Sequence, residues 1–378
     1  MLGPSPVSEP SKPPSPAGLL PRTIRGPEDA ALHELCARLG SASCRDDAAE
    51  RWPAAELELC AEYGVFEWFV DPEWGGQGWC DDSVLRAYLE LSAACLTTAF
   101  VITQRTGACR RIAKSGNDWA KSQLLPGLAR GESFATVGIS HLTTSRRHLK
   151  EPVLRARPCD IGFVLDGYSP WVTGAAHAEV IVTGATLADG RQLLIAVPTK
   201  SSGLTVGERY PLVGLAGSDT AELRFAGVEV DRAWLLAGPS ANVMRQGVGA
   251  RTGGLQTTTL ALGLLTSILR FLEGEGARRG DVRAVAESFA SEREDLLRGL
   301  LAAAAGEHGP APAELRLRAN DLVLRAATAA LLTAKGAGYV AGHPVARWLR
   351  EAHFFLVWSL PSAVAEVSLA RLISPRGG

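Results

Sequence analysis

The stretch Gly167-Tyr168-Ser169-Pro170-Trp171-Val172-Thr173-Gly174-Ala175-Ala176-His177-Ala178-Glu179-Val180-Ile181-Val182-Thr183-Gly184 lies mid-chain, between two regions of helical pattern. Val180 to Val182 read as a short buried strand that ends at the turn signal Thr183-Gly184. Trp171 and Thr173 are two positions apart, so an extended strand puts them on one face. A flat aromatic surface beside a hydroxyl and backbone donors suits a planar, hydrogen-bonding ligand such as an isoalloxazine ring. The same residues also fit a Trp packed in a β-core beside a satisfied Thr.

Outward from this stretch, residues 132 to 237 form a β-rich region. Its short runs are Ser133 to Ile139, Gly162 to Leu165, Ala178 to Val182, Leu193 to Val197, Leu223 to Phe225 and Val228 to Val230. Strands at this spacing predict a small sandwich or barrel. Upstream, residues 26 to 131 are helical in pattern: Leu32, Leu35, Cys36 and Leu39 recur at helical spacing, and Asn117-Asp118 reads as a helix cap. Gly64 to Gly78 reads as an irregular turn. Downstream, residues 238 to 378 return to helix, over Leu255 to Leu272, Val282 to Ala305, Glu314 to Ala334, and one or two more from Ala346 to Ile373. Residues 1 to 25 are a Pro- and Ser-rich tail with no means to build a core. Helices, then strands, then helices is an α+β fold: an N-terminal helical domain, a middle β-barrel or sandwich domain and a C-terminal four-helix-bundle domain.

Composition narrows the class of function. Hydrophobic residues are 46% of the chain and charged residues 21%, with a formal net charge of -1, so nothing points to nucleic acid or an anionic membrane. Seven scattered cysteines without a CxxC pair read as reduced thiols of a cytoplasmic protein. The sequence pattern predicts no signal peptide, no membrane span and no metal site among the histidines.

Several segments in this order resemble the acyl-CoA dehydrogenase family over roughly residues 26 to 373. Val70-Asp71-Pro72-Glu73-Trp74-Gly75-Gly76-Gln77-Gly78 resembles the family's "vPeeyGGqG" turn, and KSQLLPGLARGE over 121–132 its "K..wLP.la.Ge" helix end. Trp171-Val172-Thr173 resembles the "W-I-T" segment, and Gly214 to Phe225 the "G.rgSdtael.F" strand. Tyr339, Pro344, Val345, Arg347 and Arg350 fit the "GGyGy…pVerl.RD" run. The resemblance implies FAD as cofactor, with Trp171, Val172 and Thr173 beside the flavin ring. It sets Phe134 to Gly138 along the pyrimidine edge, with Val137-Gly138 in place of the usual Thr-Glu, unless a one-residue shift brings Thr136 into the role. It also implies that Gly336 and Gly338 let backbone approach a phosphate or adenine, and that Arg278 or Arg279 stands where the family's Arg reaches the cofactor across a dimer.

The family's α-proton base is a Glu just after the "RD" helix, and that position here falls on Ser359. Some members carry the base on an earlier helix, where this chain has no carboxylate near Gly253. A lone serine hydroxyl is a poor base. Other groups to weigh are Glu351, His353, Glu366 and His177. The family's "GSD" is replaced by His141-Leu142-Thr143-Thr144-Ser145.

Three functions stay open on these residues. The first is an acyl-CoA dehydrogenase-like flavin oxidoreductase acting on the CH–CH group of an acyl thioester, passing electrons to an electron-transfer flavoprotein. The second is a flavin-dependent monooxygenase of the same fold, fed by a flavin reductase, with Ser140, His141 and Ser359 in a polar pocket. The third is a degenerate, non-catalytic subunit paired with an active homologue. Each predicts assembly through the C-terminal helices, as a homodimer or homotetramer for the enzymes.

Overall fold

The structure is a computed structural model that describes residues 23–45, 51–143, 151–245 and 254–373. Residues 1–22, and with them most of the proposed tail, lie outside the described residues, as do Thr144, Ser145 and Gly253. The chain opens with α1 (Ala30–Arg45), α2 (Ala54–Glu62), α3 (Asp81–Ala94), α4 (Leu96–Ala113) and α5 (Asp118–Arg130). The side chain of Asn117 caps α5 as its sequence implies, accepting from the Ala120 amide at 2.9 Å. The Gly64 to Gly78 stretch holds two short 3-10 helices, Val65–Phe69 and Pro72–Trp74. There the Trp68 and Trp79 rings stack with centroids 4.3 Å apart. Gly76 is required in this turn, because a Cβ on it would lie 1.9 Å from the Val70 carbonyl oxygen.

The middle region carries β1 (Ala135–Gly138), the short α6 (Ser140–Thr143), β2 (Leu154–Pro158), β3 (Gly162–Val172), β4 (Val180–Thr186), β5 (Gln192–Pro198), β6 (Leu204–Arg209), β7 (Ala221–Asp231) and β8 (Leu235–Ser240). Among the described residues these make one mixed sheet of eight strands in the order β6-β7-β3-β2-β4-β5-β8, with β1 pairing β4 in parallel. The sheet covers an apolar cluster that includes Phe163, Ile181, Ile195 and Phe225. A second cluster joins Val180, Val182 and Leu194 to α4 and α5 through Cys109, Ile112, Leu125 and Leu128. The alternation of side chains along each strand thus packs both faces of β4.

Several strands differ from the sequence expectation. β3 runs on past Leu165 through Pro170 to Val172, and β7 spans both runs read separately at 223–225 and 228–230. Register shifts between Leu165 and Gly167 and between Ser169 and Val172 mark bulges, which is how a strand carries Gly167 and Pro170.

The C-terminal helices are α7 (Leu255–Gly276), α8 (Gly280–Ala304), α9 (Pro312–Ala334), α10 (Pro344–Phe354) and α11 (Ser362–Ile373). They share one hydrophobic cluster with α1 to α4: Leu32, Tyr88 and Ile102 join Leu265, Ile268, Leu322 and Phe355. By length and composition α7 is apolar enough to cross a membrane, but 67% of that stretch is buried, and it serves as a core helix of this cluster. Gly263 allows α3 to approach α7, since a Cβ there would sit 2.7 Å from the Leu89 carbonyl oxygen.

Candidate functional site

A cavity of about 850 Å³ opens where three parts of the fold meet. α4 supplies Phe100, Thr103, Gln104, Arg110 and Arg111; the sheet supplies Val137 and Trp171, and the turn after β3 supplies Thr173; α10 and the turn after it supply Arg350, His353, Phe354, Trp358 and Ser359. The volume is in the range of small-molecule and cofactor sites.

Trp171 reaches the cavity by an unusual backbone. Its φ is 57°, in the left-handed region that L-residues seldom adopt, and it sits inside the Ser169–Val172 bulge. A plain extended strand was the expected route to one face; the bulge is the observed one. The indole is 48% exposed, so it is no core tryptophan, and its ring lies 4.6 Å from that of Tyr210 at a tilt of 44°. Thr173 also lines the cavity, and its Oγ1 is 3.1 Å from Thr220 Oγ1 in a hydroxyl chain that continues to Ser218. Val172, between them, is buried and outside the cavity lining.

On β1, Val137 faces the cavity and Thr136 does not. Thr136 is fully buried on the other side of the strand, and its Oγ1 has no hydrogen-bond partner among the described residues. The Thr136 side chain is thus turned away from the cavity, and Val137 is the side chain of this pair that meets it. Among the described residues β1 pairs with β4 alone, so no described strand takes up its second backbone edge. Ser140 lines the cavity and donates to the Pro170 carbonyl at 2.9 Å.

His141 turns away from the cavity. It is 9% exposed, with Nε2 2.8 Å from the Gly184 carbonyl oxygen and no partner for Nδ1 among the described residues. A carbonyl only accepts, so Nε2 carries the proton. Burial lowers the His141 pKa below its ordinary 6.5, against a smaller opposing effect of the Gly184 hydrogen bond. The folded state thus disfavours the proton that the unfolded chain binds below that value, so this residue's contribution to stability is full above pH 6.5 and is lost as pH falls through the folded pKa. Urea midpoints measured at pH 7.5 and about pH 5 should fall on acidification, and fall less in His141→Gln. An equal drop in the variant would assign the effect to other groups.

Charge in the cavity is mainly positive. Arg110 pairs with Asp81 at 2.8 Å. Arg111 is 3% exposed and donates from Nη1 to the Gly107 carbonyl at 2.7 Å; burial pulls its pKa down to about 10, so it is still a cation at neutral pH. Arg350 donates to the Ala346 carbonyl at 3.1 Å. Phe100, Phe354 and Trp358 form an aromatic wall, with Phe100 4.8 Å from Trp358 edge-on and Phe354 5.6 Å from Trp358 stacked.

Ser359 lines the cavity with φ 47°, immediately after the turn that ends α10. That turn is held from beneath by α9. Arg316, fully buried, donates from Nη2 to the carbonyls of Phe355 at 2.8 Å and Trp358 at 2.9 Å, and Asn320 Nδ2 reaches Phe355 O at 3.1 Å. Burial draws the Arg316 pKa down to about 9. The sequence offers no sign of this clamp, because a charged residue in an apolar helix reads as a solvated face.

The remaining candidates, apart from His353, fall elsewhere. His353 lines the cavity. Glu351 lines a separate cleft of about 100 Å³ and lies 3.7 Å from Arg347. Glu366 is exposed on α11, outside the cavity lining. His177 also lies outside it, stacked on Trp52 at 4.1 Å and joined to Asp219 at 2.6 Å. Gly336 and Gly338 do not line the cavity; they belong to a 3-10 turn, Lys335–Tyr339, at the end of α9. Gly338 is a packing glycine, because a Cβ on it would meet Ala334 Cβ at 2.7 Å, whereas Gly336 has open space. Arg279 donates to the Thr333 carbonyl at 3.3 Å, so it lies beside this turn.

Helices on either side of a mixed sheet, with one large cavity between them, define the fold of the acyl-CoA dehydrogenases. Residues 29–132 match the model of the acyl-CoA dehydrogenase N-terminal domain. An acyl-CoA dehydrogenase of Bacillus subtilis (strain 168) is 24% identical over 348 residues, which is 86% of this chain and 90% of that protein. Butyryl-CoA dehydrogenase from Megasphaera elsdenii superposes with a TM-score of 0.76 at 18% identity, over 91% of this chain and 97% of that one. TdsC from Paenibacillus sp. A11-2, solved with FMN and indole, gives 0.76 at 17% identity over 91% and 96%. The chain is thus similar to acyl-CoA dehydrogenases in its N-terminal domain, along most of its sequence, and in its fold.

Proposed function

We propose that this protein is a flavin-dependent oxidoreductase of the CH–CH bond of an acyl thioester, with FAD and the acyl chain sharing the large cavity. The observation that carries this reading is the meeting of Trp171, Thr173 and Val137 with the α10 end and Ser359 around one space. The residues fit such a cofactor. The Trp171 indole offers an exposed flat surface, the free edge of β1 offers backbone groups to a pyrimidine ring, and Thr173 and Ser140 add hydroxyls. When bound, FAD supplies the hydride acceptor. The chain's own part is to place the thioester, exclude water with Phe100, Phe354 and Trp358, and stabilise negative charge on the thioester oxygen with the arginine-rich wall.

Arg279, Gly336 and Gly338 lie together away from this cavity. The family's arrangement, in which the Arg of this loop reaches the cofactor across a dimer, supports reading Arg279 as serving a second subunit. Exposed Leu332, Tyr339 and Val340 near the same turn support a homo-oligomer formed through these helices. An electron-transfer flavoprotein is the fitting acceptor on this reading.

The test is the visible spectrum of the FAD-loaded protein before and after anaerobic addition of butyryl-, octanoyl- and glutaryl-CoA. Bleaching of the flavin band is expected. A band that stays oxidised with all three, together with oxygen-dependent turnover of reduced flavin, would replace this reading with the monooxygenase. Failure to hold FAD at all would leave the non-catalytic subunit.

A further inference from the structure

We propose that His353 is the proton acceptor of this site, its Nε2 removing the α-proton of the acyl thioester. The inference rests on the acyl thioester reading above and names the group that performs its proton-transfer step.

The cavity wall holds few groups that can accept a proton. Among the described residues that line it, Asp81 is the sole carboxylate and His353 the sole imidazole; there is no glutamate, lysine, tyrosine or cysteine. Asp81 is already paired with Arg110 at 2.8 Å, and both it and His353 are exposed at the cavity rim, so it is the ion pair that sets Asp81 apart. The arginines are proton donors only, and the serine and threonine hydroxyls are poor bases without a partner. His353 is left as the lining group whose neutral ring carries a lone pair able to accept a proton.

Its orientation agrees with that role. His353 Nδ1 lies 2.7 Å from the Leu349 carbonyl oxygen, one turn back on α10. A carbonyl has no proton to give, so Nδ1 bears the hydrogen and the neutral ring keeps its lone pair on Nε2. The hydrogen bond also restricts the ring's rotation. Arg350, His353, Phe354 and Val357 occupy one face of this helix and its following turn, and all four line the cavity that Ser359 also lines. The charged groups around that space are Arg350 on the same helix, Arg110 and Arg111 from α4, and Asp81 from α3.

In the step itself the Cα–H bond of the acyl group breaks and an Nε2–H bond forms. The electron pair passes into the thioester as an enolate, with negative charge on its oxygen, and the imidazole becomes imidazolium. The cationic wall offsets that oxygen charge. No oxidant enters this step, so it is measurable apart from flavin reduction: in D2O the imidazolium exchanges the abstracted proton for deuterium from solvent and returns deuterium to the α-carbon.

The experiment follows α-proton exchange by NMR for the same three acyl-CoAs on the FAD-loaded protein in anaerobic D2O, alongside flavin bleaching. His353→Gln should slow exchange about 100-fold or more, the usual scale of a general base, while the bound flavin band persists. His353→Ala should respond likewise and recover part of its exchange on adding free imidazole, a rescue that a packing role would not give. Exchange in both variants within about threefold of the wild type, with the wild type still bleaching, would overturn the assignment and leave the dehydrogenase reading intact. A wild-type protein that neither bleaches nor exchanges would overturn both.

Discussion

Phe355→Ala should lower the free energy of unfolding by about 3–5 kcal/mol, the usual cost of deleting a fully buried phenylalanine ring. Phe355 is 0% exposed and belongs to the large cluster that fuses the N- and C-terminal helices. It stands immediately after α10, on the side away from the cavity: Phe354 and Trp358 line the cavity while Phe355 points into the core. Its ring lies under the Arg316 guanidinium, 5.8 Å to the centroid, and its carbonyl accepts from Arg316 and Asn320. Loss of the ring therefore leaves a void beside a buried cation and loosens the turn that carries Ser359. A globular domain has about 5–15 kcal/mol in all, so this one change removes a large part of it. Urea denaturation at pH 7 measures the loss. Phe355→Leu should lose less, since most of the volume remains. A loss under about 1 kcal/mol for the alanine variant would show that α10 is anchored by something other than this ring.

What the sequence made legible follows local physics. Asn117 as a cap, the long helices α7, α8 and α9, and the buried run of β4 all announce themselves by residue type and period. α4 does not. It is buried almost all round, from Leu96 through Ile112, so the one-sided stripe that marks a surface helix is missing, and its threonines and arginines dilute the apolar signal. β6 is half-exposed without alternation, and β8 contains Gly238-Pro239, which reads as a turn. Trp171 and Thr173 were legible as a pair because they are neighbours in sequence. Arg111, Val137 and His353 converge from three distant elements, and no spacing rule connects them. Thr136 and Val137 are parted by strand alternation, because a shift of one residue turns a side chain to the other face.

Ser359→Glu, made in the His353→Gln background, should restore α-proton exchange by about 100-fold or more, because it returns a carboxylate base to the cavity wall. The backbone is ready for it. Ser359 already holds a φ of 47°, so the strain of an L-residue in the left-handed region is present with serine and does not grow with glutamate. Its position is fixed from below, since Arg316 binds the carbonyls of Phe355 and Trp358 in the turn just before it. The electrostatics favour the ionised form: Arg350, Arg110 and Arg111 line the same cavity, and nearby cations oppose the rise in carboxylate pKa that burial would cause. The resemblance to the family also puts its missing glutamate at this position. Exchange by NMR and anaerobic bleaching are measured together on the FAD-loaded double variant. Recovery of both would mean that position 359 faces the acyl α-carbon and that His353 does in this chain what a carboxylate does from the neighbouring turn. If the double variant holds FAD but stays as slow as His353→Gln, position 359 does not face that carbon. The base would then have to act from the α10 face alone, and the alignment of Ser359 with the family's glutamate would be wrong.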